Sequence, residues 1–306
     1  MLTYIIRRLL SLIPVLLGVS FLVFAIGKVT PGDPVQMMLG SRATPEDIVR
    51  LRTQMHLDDP LLVQYGKYVW EILHGNLGRS YRGQTPVLQE IISRAPASLE
   101  LGTAAFLFSI LVGLPSGVIA ARYHNRFVDN AIMLVALGWL SLPEFWLAIL
   151  IVIIFGVQLK WIPVTGGEGL SSLIAPAFCL GIAPAAVLAR LTRSSVLEVL
   201  QEDYIRTAHA KGLREILINF RHILRNAMIP IVTYLGLLFA GLIGGAVFIE
   251  SVFARPGLGR FAILAINARD MPQIQGIVLL GAALYVVMNL VVDILYSVID
   301  PRIHYS

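Results

Sequence analysis

Residues 202–230 read EDYIRTAHAKGLREILINFRHILRNAMIP, the one long polar run in the second half of a strongly apolar chain. Apolar segments lie on both sides of it. Of all 306 residues, 57% are hydrophobic and only 14% are charged, whereas an ordinary soluble domain carries about 25% charged residues. A chain with so few charged residues cannot form the polar surface that a soluble domain needs. The sequence therefore predicts an all-α integral membrane protein.

Six apolar segments are long enough to cross a bilayer, because about 30 Å of hydrocarbon needs roughly 20 helical residues. They cover residues 8–28, 99–121, 129–157, 171–190, 229–252 and 274–298. The first of them superficially resembles a secretory signal, but its apolar run is too long and no A-x-A-like cleavage site follows it. We therefore expect a retained first membrane helix and six spans in all.

Lys and Arg residues are unevenly divided between the two sets of short connections, and this bias predicts orientation. One set holds twelve: Arg7, Arg8, Arg122, Arg126, Arg190, Arg193, Arg206, Lys211, Arg214, Arg221, Arg225 and Arg302. The other holds four: Lys160, Arg255, Arg260 and Arg269. We therefore expect both termini to be cytoplasmic. The basic pI near 9.5 then reflects topology, and no nucleic-acid partner is expected.

The region 29–98 is predicted to be extracytoplasmic and helical. Thr44 is a candidate N-cap before Pro45, and Pro60 is placed to open a second helix with an apolar stripe. A third short helix, 86–94, is expected to lie in the membrane interface. The region is expected to be a cap packed on the helix bundle, and it is also a candidate docking surface or gate, which is compatible with the first role. The loop 253–273 is expected to be a tight re-entry loop.

Sequence motifs for chemistry are missing. The chain has no phosphate-binding G-x-x-x-x-G-K-[ST] loop, no H-E-x-x-H or paired-cysteine metal pattern and no G-x-S-x-G nucleophile elbow. Its single cysteine, Cys179, rules out an intramolecular disulfide. We therefore predict no catalytic residue, cofactor site or metal site, and not an enzyme.

Three acidic residues in the spans are candidates for a substrate path, because an ionisable group is expensive inside a membrane. Glu144 lies near the centre of the third span, after Pro143. Its carboxyl group either bonds backbone freed by that proline or lines a wet path and meets a cationic group of a substrate. Glu250 and Asp293 lie near span ends, where a structural role is favoured.

The polar stretch itself predicts a helical elbow. Asp203 is a candidate cap for a helix from Tyr204 to Lys211, and Gly212 suits the left-handed position that ends it. A second helix is expected to start at Leu213 and run towards the fifth span. The elbow lies either on anionic lipid as an amphipathic helix or in a groove of a soluble partner.

Here the sequence resembles a known family. Arg206-Thr207-Ala208, then Gly212, then His222 to Asn226, are similar in spacing to the permease "EAA" loop of ABC importers. Arg206 replaces the glutamate of the general pattern and Arg225 its proline, as in the dipeptide/oligopeptide/nickel permease subfamily. Further matches to that subfamily are Pro31-Gly32-Asp33-Pro34, Leu57-Asp58 with Pro60-Leu61, Pro256 to Arg260, Asn289 to Asp293 and Asp300-Pro301-Arg302. Glu144 departs from it, because no acid is standard there.

The resemblance implies a type I ABC importer membrane domain with six transmembrane helices and an extracytoplasmic helical insertion between the first two spans. Its parts would be the N-terminus and first helix (1–28), the insertion (29–98) and a five-helix core (99–306) with a cytoplasmic coupling loop, 191–228. It also implies that helix 203–212 docks on the ATPase. The coupling residues would be Glu202, Asp203, Tyr204, Ile205, Arg206, Ala208, Lys211 and Gly212.

The same resemblance implies a bacterial inner-membrane location and several partners in the bilayer and beside it. These are a second homologous permease, in a heterodimer, two ATP-binding subunits that carry ATP and Mg, and an extracytoplasmic substrate-binding protein. Short peptides are the expected substrate, with nickel or a metal chelate, or glutathione, as alternatives. A stand-alone secondary transporter is the rival from another class, but it would show internal repeats and several mid-membrane charges. An interaction scaffold without transport is a third hypothesis.

Overall fold

The computed structural model describes residues 2–30, 33–39, 44–163, 169–214 and 217–299. The α-helices within these ranges are α1 Leu2–Val29, α2 Pro34–Leu39, α3 Pro45–Gln54, α4 Leu61–Leu73, α5 Val87–Arg122, α6 Phe127–Ser141, α7 Glu144–Ile151, α8 Ser171–Leu200, α9 Asp203–Ala210, α10 Arg225–Gly245, α11 Val247–Val252, α12 Leu258–Ala268 and α13 Met271–Ile299. The π-helical segments Val152–Gln158 and Ile218–Leu224 continue α7 and lead into α10. Among the described residues, an isolated bridge between Arg79 and Pro86 is the only β pairing.

The predicted helical membrane architecture is confirmed. Helices α1, α5, α8 and α13 are each long and apolar enough to cross a membrane. Two bent pairs add to these: α6 with α7 and its π-helical extension, bent by 94°, and the pair around Pro230, bent by 43°. Counting each pair as one span gives the six that the sequence predicts.

Several predicted boundaries were wrong. The short helix expected at 86–94 is the first part of α5, which continues through Pro96 into the second span. The expected re-entry loop 253–273 contains helix α12. The fifth span, predicted as 229–252, is divided at Ala246 between α10 and α11. Pro96 reads as a stop in the sequence but is tolerated inside α5, because membrane helices re-satisfy the backbone locally.

The chain divides into two compact units. The first combines Met1–Pro96 with Gly257–Val286. Its predicted caps are confirmed: the Thr44 side chain accepts a hydrogen bond of 3.2 Å from the Asp47 backbone N–H, with Pro45 at the first helical position, and α4 begins directly after Pro60. Val87, Ile91, Leu258 and Phe261 form its buried apolar cluster.

The second unit combines Ala97–Pro256 with Val287–Ser306. The part of α5 in this unit packs closely against α8. Small residues recur every four positions along each helix: Ala105, Ser109, Gly113, Gly117 and Ala121 in α5, and Ala177, Gly181, Ala185 and Ala189 in α8. A Cβ at Gly117 would lie 2.4 Å from the Ala189 carbonyl oxygen, and one at Gly113 would lie 2.7 Å from that of Ala185. Small residues allow such backbone approach between membrane helices.

A larger apolar cluster lies beside this contact. It joins α5, α7, α8, α10 and α11 through buried side chains such as Leu101, Ala148, Leu180, Leu242 and Ile249. Ser109 Oγ donates to the Gly181 carbonyl oxygen over 2.8 Å, which adds a polar link to the α5–α8 contact. The helices of this unit are therefore tied together by both packing and hydrogen bonding.

The α5–α8 contact generates a prediction about stability. Gly117→Ala places a methyl group against the Ala189 carbonyl, and overpacking of this kind costs about 1–3 kcal/mol. We expect a lower thermal unfolding midpoint for the purified protein in detergent. Gly138→Ala is the matched control, because a Cβ there meets nothing within 4 Å; an equal loss of stability in both variants would contradict the proposed close contact.

Candidate functional site

Helix α9 occupies the centre of the polar stretch, and it begins one residue earlier than predicted. Glu202 is at the N-cap position, with extended backbone angles and no side-chain capping hydrogen bond. The expectation that Asp203 caps the helix was therefore wrong. Asp203 is the first helical residue, where a negative charge is stabilised by the helix dipole, and its Oδ1 lies 3.6 Å from Nη1 of Arg206.

The end of α9 has the predicted geometry. Lys211 is the C-cap and Gly212 has a φ of +71°. The Gly212 N–H donates to the His209 carbonyl over 2.9 Å, and the Leu213 N–H donates to the Ala208 carbonyl over 3.3 Å. These two bonds make a Schellman motif, which needs a left-handed residue after the helix. The direction in which the chain leaves α9 is thereby set by Gly212.

Two of the predicted coupling residues are buried inside this chain. Ile205 is 2% exposed and Ala208 is 6% exposed. They belong to a buried apolar cluster, which we call the α9 socket: Ala121 of α5, Val196 of α8, Ile218, Ile223, Ala227 of α10, and Ile205 and Ala208 themselves. Ile205 and Ala208 therefore lie on the side of α9 that packs within this chain, and their assignment as coupling residues stays a prediction. An apolar stripe on a short helix does not reveal in advance which surface covers it.

The opposite side of α9 is open. Glu202, Asp203, Tyr204, Arg206, Lys211 and Gly212 are exposed, as are Thr207 and Ala210. Acidic groups lie at the start of this surface and basic groups at its end. The Tyr204 hydroxyl accepts a hydrogen bond of 2.9 Å from Nδ2 of Asn226, which ties the exposed tyrosine to the first turn of α10. Sequence spacing gave no indication of this link.

A buried ion pair joins α6 to α8, and sequence reasoning missed it. Arg193 donates to both carboxylate oxygens of Asp129, from Nε over 2.6 Å and from Nη2 over 2.7 Å. The Asp129 side chain has no exposed surface, and it also accepts the Asn125 backbone N–H at 2.9 Å. Bidentate pairs fix geometry as well as charge. In the sequence, Arg193 serves only as one of the basic residues that predict membrane orientation. Its partner Asp129 is 64 residues away, so no local sequence pattern reveals the ion pair.

Glu144 lies at the 94° bend between α6 and α7. It is the first residue of α7, directly after Pro143, and it is half-buried. The alternative of a carboxyl group bonded to freed backbone is not favoured, because no hydrogen bond or ion pair of Glu144 occurs among the described residues.

Glu250, the second acidic candidate, is enclosed within the second unit. The Glu250 carboxylate is fully buried, and its Oε1 accepts a hydrogen bond of 2.5 Å from Ser98 Oγ of α5. The nearby Arg255 side chain donates to Glu100 over 2.8 Å. This enclosure contradicts a position of Glu250 on an open path and favours its structural role. Asp293 belongs to α13, but its side chain lies outside the described residues.

The geometry around α9 suits the transmission of motion. Across the described part of the chain, no three His, Cys, Asp or Glu side chains are grouped to hold a metal ion. The arrangement instead presents a short helix with one anchored side and one open side. Such a helix can move together with the spans to which it is packed.

Comparison with known families agrees with this geometry. Residues 113–305 match the binding-protein-dependent transport system inner membrane component family, and residues 1–102 match the N-terminal family model of the same membrane components. The chain belongs to this family. It is an ABC importer permease of the peptide/oligopeptide group, and the predicted resemblance is confirmed.

Full-length relatives include a dipeptide transport system permease protein DppB of Alkalihalophilus pseudofirmus, 40% identical with 100% of both chains covered. A glutathione transport system permease protein GsiC of Salmonella paratyphi A is 44% identical, again with 100% of both chains covered. A solved chain of the inward-facing MetNI methionine ABC transporter matches with a TM-score of 0.57. That match covers 70% of the permease and 97% of the solved chain at 17% identity, and it confirms the type I importer fold.

The Schellman motif at Gly212 generates a prediction about transport. Gly212→Val forces a β-branched residue into a left-handed conformation, at a cost of about 1–2 kcal/mol, so we expect α9 to lose its fixed exit and uptake to fall strongly. A Cβ at Gly212 meets nothing within 4 Å, which isolates the backbone effect.

Gly212→Asn is the control, since asparagine tolerates the left-handed region. It should retain uptake and transport-stimulated ATP hydrolysis, both measured in proteoliposomes. Normal uptake by Gly212→Val would refute a role for the left-handed turn.

Proposed function

We propose that this permease forms the membrane path for short peptides, together with a second homologous permease subunit. The observation that carries the proposal is full-length similarity to a dipeptide permease. Glutathione is itself a modified tripeptide, so the glutathione relative favours the same substrate class and stays as an alternative. Nickel or a metal chelate has weaker support, because the relatives named above carry peptides.

We further propose that the exposed side of α9 contacts an ATP-binding subunit. Tyr204, Thr207 and Ala210 form the exposed surface of α9. Arg206 and Lys211 add positive charge to it. A helix of two turns that is anchored on one side and open on the other fits a groove on a soluble partner. ATP and Mg belong to two such subunits, and this chain carries no cofactor and performs no catalysis itself.

The α9 socket supplies the route by which partner motion reaches the membrane. Displacement of α9 moves Ile205 and Ala208, which contact α5, α8 and α10 through buried side chains. The Asp129–Arg193 pair then links α8 to α6, the helix that leads to the bend at Glu144. Driving a gate from 1:99 to 99:1 takes about 5.5 kcal/mol of differential binding, and ATP and the binding protein must supply it.

Glu144 is the residue we assign to the path. Broken membrane helices commonly form the substrate site of transporters, where unwound backbone and half-helix ends meet the substrate. A carboxylate at such a break suits a cationic group, as in the amino terminus or a basic side chain of a peptide. Both termini and α9 lie on the cytoplasmic side of the inner membrane in this proposal, and the binding protein docks on the opposite side.

Uptake measurements test the substrate. Cells that lack this permease should lose uptake of labelled dipeptide, and expression of the wild-type chain should restore it. Gly212→Val, expressed to the same level, should restore less uptake than the wild-type chain. Loss of glutathione or nickel uptake with unchanged dipeptide uptake would overturn the peptide proposal. Active transport by the purified chain without an ATP-binding subunit would favour the secondary transporter instead.

A further inference from the structure

Helix α4 carries more apolar surface than its own unit covers. Successive residues of a helix are turned by about 100°. Tyr65 and Tyr68 contact α1 and are half-buried, and Val69 and Ile72 on the same side of the helix are half-buried too. Next to them runs a second apolar row, Leu62, Gly66, Trp70 and Leu73, which we call the uncovered stripe. Leu62 is 81% exposed, Trp70 is 65% exposed and Leu73 is 75% exposed. Something apolar outside this unit is needed to cover it.

The remaining side of α4 is polar. Lys67, Glu71 and His74 are exposed there, and Lys67 Nζ donates to Asp59 Oδ2 over 2.8 Å. The helix therefore has a wide apolar arc and a narrower charged arc, the pattern of a helix that lies along a membrane surface. A helix packed on all sides by protein would not need so sharp a division.

Contacts between α4 and α1 locate α4 along the first span. The Tyr65 hydroxyl donates to the Leu17 carbonyl over 3.1 Å and lies 2.9 Å from Ser20 Oγ. Its ring centroid lies 5.4 Å from that of Phe21 and 5.6 Å from that of Phe24. Tyr65 therefore extends alongside the second half of α1.

These contacts can be converted to a depth in the membrane. The most apolar part of α1 is Leu12–Val29, only 11% of which is buried within the chain, and Lys28 marks its polar end. At about 1.5 Å per residue, Phe24 lies about 6 Å and Leu17 about 16 Å inside that end. With Leu12–Val29 taken as the span, this depth places the Tyr65 ring within the hydrocarbon and α4 near the boundary between lipid and water.

We propose that α4 is an interfacial helix whose uncovered stripe is buried among lipid acyl chains, in the leaflet at the C-terminal end of α1. The neighbouring surface of α1 is continuous with it, since Phe21, Leu22 and Ile26 are all at least half exposed. Trp70 has the residue type that prefers this depth, and the charged arc faces water. The proposal depends on neither the substrate nor the ATP-binding subunits.

The accessibility of spin labels to oxygen and to a water-soluble reagent tests whether lipid covers the uncovered stripe. Single cysteines are introduced in a Cys179→Ala background as Leu62→Cys and Leu73→Cys, with Lys67→Cys and Glu71→Cys as controls on the charged arc. The intact complex is reconstituted in vesicles of phosphatidylethanolamine and phosphatidylglycerol. Collision with oxygen, which partitions into lipid, is then compared with collision with a water-soluble nickel chelate.

We expect the ratio of oxygen to nickel-chelate collisions to be several-fold higher at positions 62 and 73 than at positions 67 and 71. High nickel-chelate collision at the stripe would show that it faces water and would overturn the proposal. Low collision with both reagents would overturn it too, because a second permease or the binding protein would then cover the stripe. Two labelled positions on each arc keep the test decisive if one variant fails to assemble.

Discussion

Burial of Ile205 and Ala208 in the α9 socket is the contact on which the rest of the account depends. A helix of eight residues is too short to be stable alone in water, so α9 exists as a fixed element because these two side chains hold it to α5, α8 and α10. The same burial turns Tyr204, Thr207 and Ala210 outwards. One packing interaction thus explains both the rigidity of the helix and the identity of its open face.

The α9 socket would transmit little motion to the membrane helices if these helices were loosely packed against each other. The small-residue rows of α5 and α8 bring their backbones so close that a single added Cβ would meet a carbonyl oxygen at 2.4 Å. The Asp129–Arg193 pair adds a second fixed link, because removing Arg193 would leave the buried Asp129 carboxylate without its charged partner. Packed interfaces of this kind move as units, which suits a permease driven from one end.

Features with a local physical cause were predictable from sequence. Gly212 and Thr44 were assigned correctly because a left-handed turn and an N-cap each depend on one residue and its neighbours. Long-range contacts were not predictable: Ile205 reads equally well as a docking residue or a core residue, and Arg193 gives no sign of Asp129. The continuity of α5 through Pro96 was missed because a proline near charged residues resembles a helix boundary.

The most direct test of the central claim is site-specific photo-crosslinking from α9 in the assembled complex. A benzophenone amino acid at Thr207 or Ala210, on the open face, should crosslink to a subunit that mass spectrometry identifies as the ATP-binding protein. The same group at Ala208, in the α9 socket, should give crosslinks only within the permease. Crosslinking to the ATP-binding subunit from Ala208 but not from Thr207 or Ala210 would contradict the account.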